Sequence, residues 1–249
     1  MTSFSMGKKK ISYQFLPNLL AHISQEETKT GKKHFYLEPF MGMGSVLRAV
    51  VPHLKVKAFA ACDADPALIE FWDHLKGGWK PPQKISFKKY QQLRATRKNQ
   101  TPLHTFVGHS CGFHSVYFRG LCPEERVAKM IPRNYATVQK VVDILKPKWD
   151  KIKFFNVDFF EIDTPQDTII YLDPPYKGST DKGAGAGFDS AKFWKQASLW
   201  AQPKYRNIVI VSEARAPKEW KPIWQKEHTH GHNGTQYTRT ESLFVYKLV

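Results

Sequence analysis

The sequence predicts an α/β fold in which a Rossmann-like, mainly parallel sheet carries a basic, mainly helical insertion. Short apolar runs rich in β-branched and aromatic residues alternate with helical patterns, which is typical of parallel strands joined by crossover helices. After residue 75 the pattern becomes irregular and strongly basic, and the alternation resumes near residue 151. We therefore expect residues 1–75 and 151–249 to form one domain and residues 76–150 to form the insertion.

The composition favours a folded chain from a reducing compartment. Hydrophobic residues make up 41% of the 249 residues, which is enough for a packed core. The three cysteines form no CxxC pair, so no disulfide framework is expected. No apolar run approaches the roughly 20 residues of a membrane span, and the N-terminus has no signal-peptide core. We expect a soluble, intracellular protein.

The net charge of +16 is concentrated in one part of the chain. Between residues 75 and 153, 17 Lys and Arg face four acidic residues, a balance of +13. A solvated surface usually mixes both signs, whereas a concentrated positive charge favours a polyanionic partner. The distribution indicates a nucleic acid as that partner.

The first strand, glycine turn and helix predict a nucleoside-binding edge. After a helix expected from about Ile11 to Ile23, residues 34–40 form a strand pattern, 41–45 a glycine turn and 46–54 a helix. Glycines allow a ligand to approach the backbone closely. The turn lacks the third glycine of GxGxxG, and an acid at position 38 would repel a pyrophosphate. These features favour a ligand that has an amine and needs no phosphate.

The second strand, residues 56–61, leads to Asp63, which lies 19 residues after Gly44. This is near the spacing at which an acid contacts ribose hydroxyls. Asp63 could instead cap the next helix, or do both. The first 75 residues thus predict a nucleoside with an amine, and S-adenosylmethionine fits better than NAD or ATP.

The basic insertion has the residue types of a nucleic-acid-reading surface. Residues 87–98 form a basic helical pattern, 106–120 a glycine-rich stretch with interleaved aromatics, and 135–145 a second helix. Cations suit phosphates, and aromatic and arginine side chains suit bases. Its histidines and cysteines match no common zinc-finger spacing, so no metal is expected. The candidate nucleic-acid-binding residues are Arg94, Arg97, Lys98, Phe113, Tyr117, Arg119, Arg126 and Arg133.

The parallel pattern then continues to the C-terminus. In order, we expect a strand over 153–157, a strand over 168–176, a glycine-rich lid over 177–187, a helix over 191–200, a strand over 207–212, and a hairpin of 223–227 with 242–248. Asp158 and Phe159 follow the first of these strands.

The strand 168–176 ends in Asp173-Pro174-Pro175-Tyr176. Ligands bind at the carboxyl ends of strands in open α/β sheets. The two prolines fix their φ angles and remove two backbone donors, which leaves the carbonyls of Asp173 and Pro174 with few local competitors. A carboxylate, carbonyls and a ring suit a flat exocyclic amine. The structural alternative is a strand stopped by a Pro-Pro turn.

Taken in this order, the motifs resemble those of the Dam-like DNA adenine N6-methyltransferases of the alpha group, and most nearly their phage- and virus-encoded branch. The motifs are Glu38-Pro39-Phe40-x-Gly42-x-Gly44-Ser45, Asp63, Asp158-Phe159 and Asp173-Pro174-Pro175-Tyr176. The resemblance runs nearly end to end. Met6-Gly7-Lys8-Lys9 is similar to the branch's N-terminal cofactor element, although Ser5 replaces its usual aromatic residue and either lysine matches.

The resemblance implies a site-specific enzyme that moves the methyl group of S-adenosyl-L-methionine to the exocyclic amine of a flipped adenine in double-stranded DNA, leaving S-adenosyl-L-homocysteine. The implied catalytic residues are Asp173, Pro174 and Tyr176. The implied cofactor-binding residues are Lys9, Glu38, Pro39, Phe40, Gly42, Gly44, Ser45, Asp63, Asp158, Phe159 and Asp173.

Further expectations concern the partner, oligomeric state and location of the protein, and the alternative functions. A cognate restriction endonuclease is a candidate partner, and we expect a monomer or weak dimer. The expected location is the cytoplasm or nucleoid of a bacterial host, or a virus-infected cell. The alternatives are an N4-cytosine DNA methyltransferase, an RNA adenine methyltransferase, and a non-catalytic nucleic-acid-binding protein on a decayed fold.

Overall fold

A computed structural model describes residues 9–113, 116–175, 187–232 and 235–247. Its strands are β1 (Phe35–Glu38), β2 (Phe59–Asp63), β3 (Ile152–Asn156), β4 (Thr168–Leu172), β5 (Ile208–Glu213), β6 (Trp220–His232) and β7 (Thr235–Tyr246). They form one seven-stranded sheet in the order β3-β2-β1-β4-β5-β7-β6. The first five strands are parallel, and β7 pairs antiparallel with both β5 and β6. The sheet is therefore mainly parallel, as the sequence predicts.

The helices are α1 (Lys9–Thr30), α2 (Leu47–Val50), α3 (Pro66–Lys76), α4 (Phe87–Ala95), α5 (Pro102–Cys111), α6 (Glu124–Leu145) and α7 (Ser190–Trp200). Short 3₁₀ turns occur at Arg97–Asn99, Lys146–Lys151, Phe159–Glu161 and Pro203–Tyr205. Within the described ranges, no helix is both long enough and apolar enough to pass through a membrane.

The sheet separates two cores because alternate side chains of a strand point to opposite faces. Every residue of the central strand β4 is buried. On one face Ile169 and Tyr171 pack with Phe15 of α1. On the other, Ile170 and Leu172 pack in a second cluster with the C-terminal helix α7. Burial on both faces explains why β4 is an almost continuous apolar run.

The basic segment is packed onto the first of these cores. Tyr90 and Leu93 of α4, Phe106 of α5 and Val141 of α6 belong to the same cluster of buried side chains as Tyr171 of β4. The hydroxyl of Thr105 on α5 also donates a hydrogen bond to a backbone carbonyl of α3, at 3.4 Å. The helices of the segment are thus in continuous apolar contact with the sheet.

Helix lengths differ from the sequence-based expectations where proline or glycine occurs inside a helix. Helix α1 extends to Thr30 instead of ending at Ile23, with Pro17 inside it. Helix α6 begins at Glu124 rather than Tyr135, with Pro132 inside it. Tertiary packing of the apolar faces outweighs the local cost of these prolines.

Helix α5 is absent from the sequence-based prediction because Gly108 and its neighbours have the composition of a loop. In the fold, a Cβ at Gly108 would lie 2.5 Å from Cδ2 of Tyr117 and 2.8 Å from Cδ2 of Phe118. The glycine therefore makes room for two aromatic rings that pack on the helix. The terminal hairpin is also longer than expected, since β6 begins at Trp220 and β7 at Thr235.

Candidate active site

Three acidic residues meet at the carboxyl edge of the sheet. Glu38 ends β1, Asp63 ends β2, and Asp173 directly follows β4. Because these strands are parallel, the ends of all three lie at the same edge. A cavity of about 130 Å³ is lined there by Glu38, Phe40, Met41, Gly42, Met43, Ser45, Val46 and Asp173. Five of these eight residues are among the expected site residues.

Glu38 is a buried acid held by a tyrosine that sequence reasoning missed. Its side chain is 2% exposed, and the hydroxyl of Tyr36 donates a hydrogen bond to its carboxylate at 2.9 Å. The two residues are two apart on one strand, so they share a face, which is the signal that could have found Tyr36. Burial raises the pKa of Glu38 well above its usual range; the Tyr36 bond opposes this, and Asp173 and Asp63 add to it. A cation entering the cavity would favour the ionised form.

The glycine turn after β1 is fixed from two sides. Gly42 and Gly44 have φ angles of 48° and 64°, a region that favours glycine. The amide of Gly42 donates to Oδ2 of Asp63 at 2.8 Å, and Nε1 of Trp72 donates to the carbonyl of Gly42 at 3.1 Å. No local pattern predicts the role of Trp72, which lies 30 residues further along the chain.

Asp63 orients backbone groups and does not cap the following helix. Its Oδ1 accepts a hydrogen bond from the amide of Asp65 at 3.0 Å, in addition to the Gly42 bond. Burial raises the pKa of Asp63, and these amides oppose the shift. The cap of α3 is Asp65, which accepts from the amide of Ala67 at 2.9 Å. The capping alternative for Asp63 is thus wrong, because Asp65 takes that position.

Asp158 and Phe159 differ in their environment. Asp158 is exposed and accepts a hydrogen bond from the amide of Phe160 at 2.8 Å, which caps the short 3₁₀ turn. Phe159 is 2% exposed, and its ring centroid lies 5.2 Å from that of Phe40 and 4.9 Å from that of Trp200. The ring of Phe159 therefore supports Phe40, which lines the cavity.

The remaining expected residues of this site are only partly described. Pro39 and Pro174 are buried, and Asp173 is half-buried at the cavity. Lys9 is the first residue of α1, and its side chain lies outside the description. Tyr176 and the expected lid up to residue 186 also lie outside the described residues.

The expected nucleic-acid-binding residues lie on α4, the 3₁₀ turn after it, α6 and the loop before α6. Arg97, Lys98, Phe113, Arg119 and Arg133 are exposed, whereas Arg94, Tyr117 and Arg126 are half-buried. Arg94 and Arg97 line a groove of about 410 Å³ together with Phe87, Tyr90, Gln91, Ala95, Leu121 and Cys122. The expected residues are therefore spread over several elements of the basic segment.

Tyr117 is engaged within the protein. Its hydroxyl donates a hydrogen bond to the carbonyl of Arg97 at 2.7 Å, and its ring packs on Gly108 and on Phe118. Burial raises the pKa of Tyr117 to about 12. These contacts connect the 3₁₀ turn to α5, a role that the sequence pattern did not indicate.

The thiols of Cys111 and Cys122 are buried and hydrogen-bonded to each other. Across the described ranges, no three His, Cys, Asp or Glu side chains come together as a metal site. His114, the remaining histidine of that stretch, lies outside the described residues.

An open sheet that ends in an antiparallel pair, with acids around a cavity at its carboxyl edge, defines a protein of the S-adenosylmethionine-dependent methyltransferase class. The chain belongs to the D12 class N6 adenine-specific DNA methyltransferase family, whose model matches residues 7–209. It is a methyltransferase that acts on DNA adenine, and S-adenosyl-L-methionine is its methyl donor.

Several solved structures resemble the fold at low sequence identity. The Pyrococcus horikoshii protein PH1948 is 10% identical, covering 93% of this chain and 82% of its own, with a TM-score of 0.42. The rRNA methyltransferase AviRa of Streptomyces viridochromogenes is 13% identical, covering 86% and 76%, with a TM-score of 0.40. The N-terminal domain of human METTL16, in complex with SAH, is 11% identical, covering 92% and 70%, with a TM-score of 0.33. No curated protein sequence matches the chain.

The described residues fit the methyl donor in charge and in hydrogen-bonding capacity. The donor carries a positive sulfonium and a positive amine, and the cavity has Glu38 and Asp173 in its wall. The hydroxyl of Ser45, also in the wall, is buried and has no hydrogen-bond partner among the residues that the structure describes. A buried polar atom without a partner is rare in proteins and points to a missing ligand group.

Proposed function

We propose that the carboxylate of Asp173 and the carbonyl of Pro174 accept hydrogen bonds from the exocyclic amine of a flipped adenine, beside a cofactor held at the ends of β1 and β2. The observation that carries this proposal is that Asp173 and the glycine turn line one cavity. A donor bound by the turn and an acceptor bound by Asp173 would then be neighbours. This proximity is the first requirement of direct transfer.

The two acceptors would act on the reactivity of the amine. The lone pair of adenine N6 is delocalised into the ring, so this nitrogen is a poor nucleophile. Hydrogen bonds from its two N–H groups favour a more pyramidal, electron-rich nitrogen. Positive charge develops there as the N–C bond forms, and a fixed carboxylate stabilises it where electrostatic effects are largest. The cofactor would supply the electrophilic methyl group, and the proton that N6 releases would pass to solvent through the Asp173 carboxylate that accepts its hydrogen bond.

The cofactor would lie across the edge of the sheet. In this arrangement Glu38 and Lys9 act at its methionine end, where Pro39, Phe40, Gly42, Gly44 and Ser45 shape the wall. Asp63 contacts the ribose, while Asp158 and Phe159 act at the adenine. Tyr176 stacks on the target base. The supporting observations are the buried acid at position 38 and the glycine turn held by Asp63.

The basic segment of residues 76–150 would be the target-recognition domain, inserted into a catalytic domain of residues 1–75 and 151–249. Its charge balance of +11, from 15 Lys and Arg against four acids, supports contact with DNA phosphates. The exposed residues Arg97, Lys98, Arg119 and Arg133 are available for such contacts, and Phe113 for stacking on a base.

We also propose a subgroup of the family, a location, an oligomeric state and a partner for the enzyme. The order of the motifs supports membership of the alpha group and its phage- or virus-encoded branch. The enzyme would work inside a bacterial host or virus-infected cell as a monomer or weak dimer, and a cognate restriction endonuclease is a candidate partner.

The test is to replace Asp173 by Ala and measure N6-methyladenine in digested DNA by mass spectrometry. Loss of the carboxylate should reduce the methylation rate at least about 100-fold, because a preorganised group at the reacting atom is removed. Binding of S-adenosyl-L-homocysteine, measured by calorimetry, should weaken far less than the rate falls, because Glu38 and the glycine turn remain in the cavity. Asp163→Ala, at an exposed acid outside the cavity, is the matched control and should keep full activity.

Two outcomes would contradict the proposal. Activity retained in Asp173→Ala would show that the carboxylate does not hold the acceptor. N4-methylcytosine in the digest of the wild-type reaction, in place of N6-methyladenine, would assign a different amine to the site.

A further inference from the structure

Arg48, on α2, is a buried cation to which the described residues offer no counter-ion. The residue is 3% exposed, and its Nε and Nη2 atoms reach no hydrogen-bond acceptor. Its guanidinium lies 5.8 Å from the ring centroid of Tyr13 on α1. Burial lowers the pKa of Arg48, and Tyr13 is the titratable group in the described part of the chain that opposes this shift. Among the described residues, this cation therefore contacts the ring of Tyr13 and no anion.

An unpaired buried guanidinium is costly, and Arg48 differs in this respect from Lys148, which has hydrogen-bond acceptors. Burying a charge is unfavourable unless partners replace its water. Lys148, on the 3₁₀ turn Lys146–Lys151, has such partners: its ammonium donates to the carbonyls of Val51 and Leu54, which follow α2, at 2.5 and 3.0 Å. The difference indicates that the acceptor for Arg48 comes from a bound molecule.

The backbone relates Arg48 to the cavity described above. The amide of Arg48 donates to the carbonyl of Gly44 at 3.2 Å, so residues 44–48 form a helical turn. Positions three apart on such a turn are neighbours on one side of the helix. Ser45 and Arg48 are three apart, and both have buried side-chain polar atoms without a partner. Ser45 lines the cavity.

The proposed cofactor carries an anionic group that could pair with Arg48. The methionine end of S-adenosylmethionine carries an ammonium and a carboxylate. The acids Glu38 and Asp173 in the cavity wall suit the ammonium and repel the carboxylate. Resting on the proposed cofactor position, we propose that Arg48 and Ser45 bind the α-carboxylate of the methionine moiety, on the side of the cavity away from the two acids. Arginine suits this task, since its planar donors match a carboxylate.

The test compares two ligands on one variant. Wild-type protein and Arg48→Met are titrated in a calorimeter with S-adenosyl-L-homocysteine and with its decarboxylated analogue. Met keeps the length and apolar stem of the side chain and removes the donors. The variant should bind S-adenosyl-L-homocysteine about 10- to 100-fold more weakly, which is the effect of a hydrogen-bonded charge pair, and should bind the analogue as the wild type does.

The ligand-free variant provides a second readout. Because Arg48→Met removes an unpaired buried charge, its melting temperature without ligand should rise by ~2–4 °C. Lys148→Met is the matched control: it removes a cation of the 3₁₀ turn Lys146–Lys151 that has hydrogen-bond acceptors in the residues after α2. This control should melt at a lower temperature and keep the wild-type ratio of affinities for the two ligands.

Results that contradict the role of Arg48 differ from the result that contradicts the cofactor cavity. Equal weakening of both ligands by Arg48→Met would overturn the inference, since it would mean a structural role. Unchanged affinity for S-adenosyl-L-homocysteine would also overturn it, and a simultaneous loss of DNA affinity would assign Arg48 to a DNA phosphate. A wild-type protein that binds neither ligand would overturn the proposed cofactor cavity itself.

Discussion

At the scale of single residues, the site is governed by an acid that the fold removes from water. Glu38 is 2% exposed, and within the described chain the hydroxyl of Tyr36 donates a hydrogen bond to its carboxylate. Burial is the largest cause of the rise in its pKa. Such a group is poorly stable as an anion until a cation approaches, and a sulfonium cofactor with an ammonium group provides that charge. Cofactor binding should therefore be coupled to release of a proton.

The raised pKa of Glu38 predicts how the free energy of unfolding depends on pH. As the pH rises above about 4.5, the unfolded chain releases the Glu38 proton, whereas the folded chain keeps it up to the raised pKa. The unfolded state then binds fewer protons than the folded state, so the free energy of unfolding falls as the pH increases through this window. Glu38→Gln cannot ionise and should lack this component.

The measurement is the melting temperature of the ligand-free proteins between pH 5 and pH 8. Relative to the wild type, Glu38→Gln should gain at least ~2–4 °C over this range, the shift that about 1 kcal/mol produces in a chain of this size. The same variant should bind S-adenosyl-L-homocysteine more weakly, because it loses the charge that attracts the ammonium. Parallel melting curves for the two proteins across the range would contradict the prediction.

At the scale of elements, the strands were predictable and several helices were not. All five parallel strands lie within a few residues of their predicted positions, because each is a short apolar run with an acid at or near its carboxyl end. Helix α5 was missed because Gly108 is explained only by the rings of Tyr117 and Phe118 packed on it. Similarly, the length of α6 depends on an apolar face that tolerates Pro132.

The glycine turn allows a three-way comparison of alanine variants. Gly31, Gly42 and Gly44 all have φ between 48° and 65°. A Cβ at Gly31 or Gly42 would meet no atom within 4 Å, whereas one at Gly44 would lie 2.8 Å from Cζ2 of Trp72. Gly31→Ala should therefore cost only the left-handed backbone strain, about 1 kcal/mol. Gly44→Ala should cost clearly more, because the indole that holds Gly42 must move.

Gly42→Ala tests the contribution of the turn to cofactor binding separately from its contribution to the stability of the protein. Its melting temperature should match that of Gly31→Ala, while its affinity for S-adenosyl-L-homocysteine should fall, because the added methyl group lies at the wall of the cavity. Thermal melting and calorimetry on the three variants provide both numbers. Equal cofactor affinity in Gly31→Ala and Gly42→Ala would mean that the turn does not contact the ligand.

At the scale of the whole molecule, charge is distributed so that one segment is suited to a polyanion. Of the net charge of +16, residues 75–153 contribute +13. Exposed cations also lie elsewhere, as at Lys55 and Lys57, which precede β2 at the amino edge of the sheet. Since the proposed active site is at the carboxyl edge, these two lysines should not face the bound DNA.

The salt dependence of DNA binding tests this arrangement. The double variant Arg97→Ala with Lys98→Ala should lower the slope of log K against log salt by about 2, since each lost phosphate contact releases about one counter-ion fewer. Lys55→Ala with Lys57→Ala removes the same net charge and should leave the slope near that of the wild type. The slope can be read from fluorescence anisotropy titrations between 50 and 200 mM salt. Equal slopes for both variants would exclude the 3₁₀ turn as a DNA contact.

The sequence by itself determined the parallel sheet, the acids at its strand ends and the concentration of charge. These features are local: a strand is readable from its own composition, and an acid after a strand lies at the edge wherever the strand is placed. The family can be inferred from the same motifs, because their order is read from the sequence without any interatomic distance.

Only the tertiary structure decided which side chains share an environment. In the described chain, packing brings Tyr36 to Glu38 and brings Trp72 to the glycine turn from 30 residues away. It also buries Arg48 where no described residue provides an anion. Burial depends on what covers a residue, and its covering comes from distant parts of the chain. Position along the chain therefore predicted which strand ends carry acids, and three-dimensional packing decided how deeply these acids are buried and which polar groups near them are unpaired.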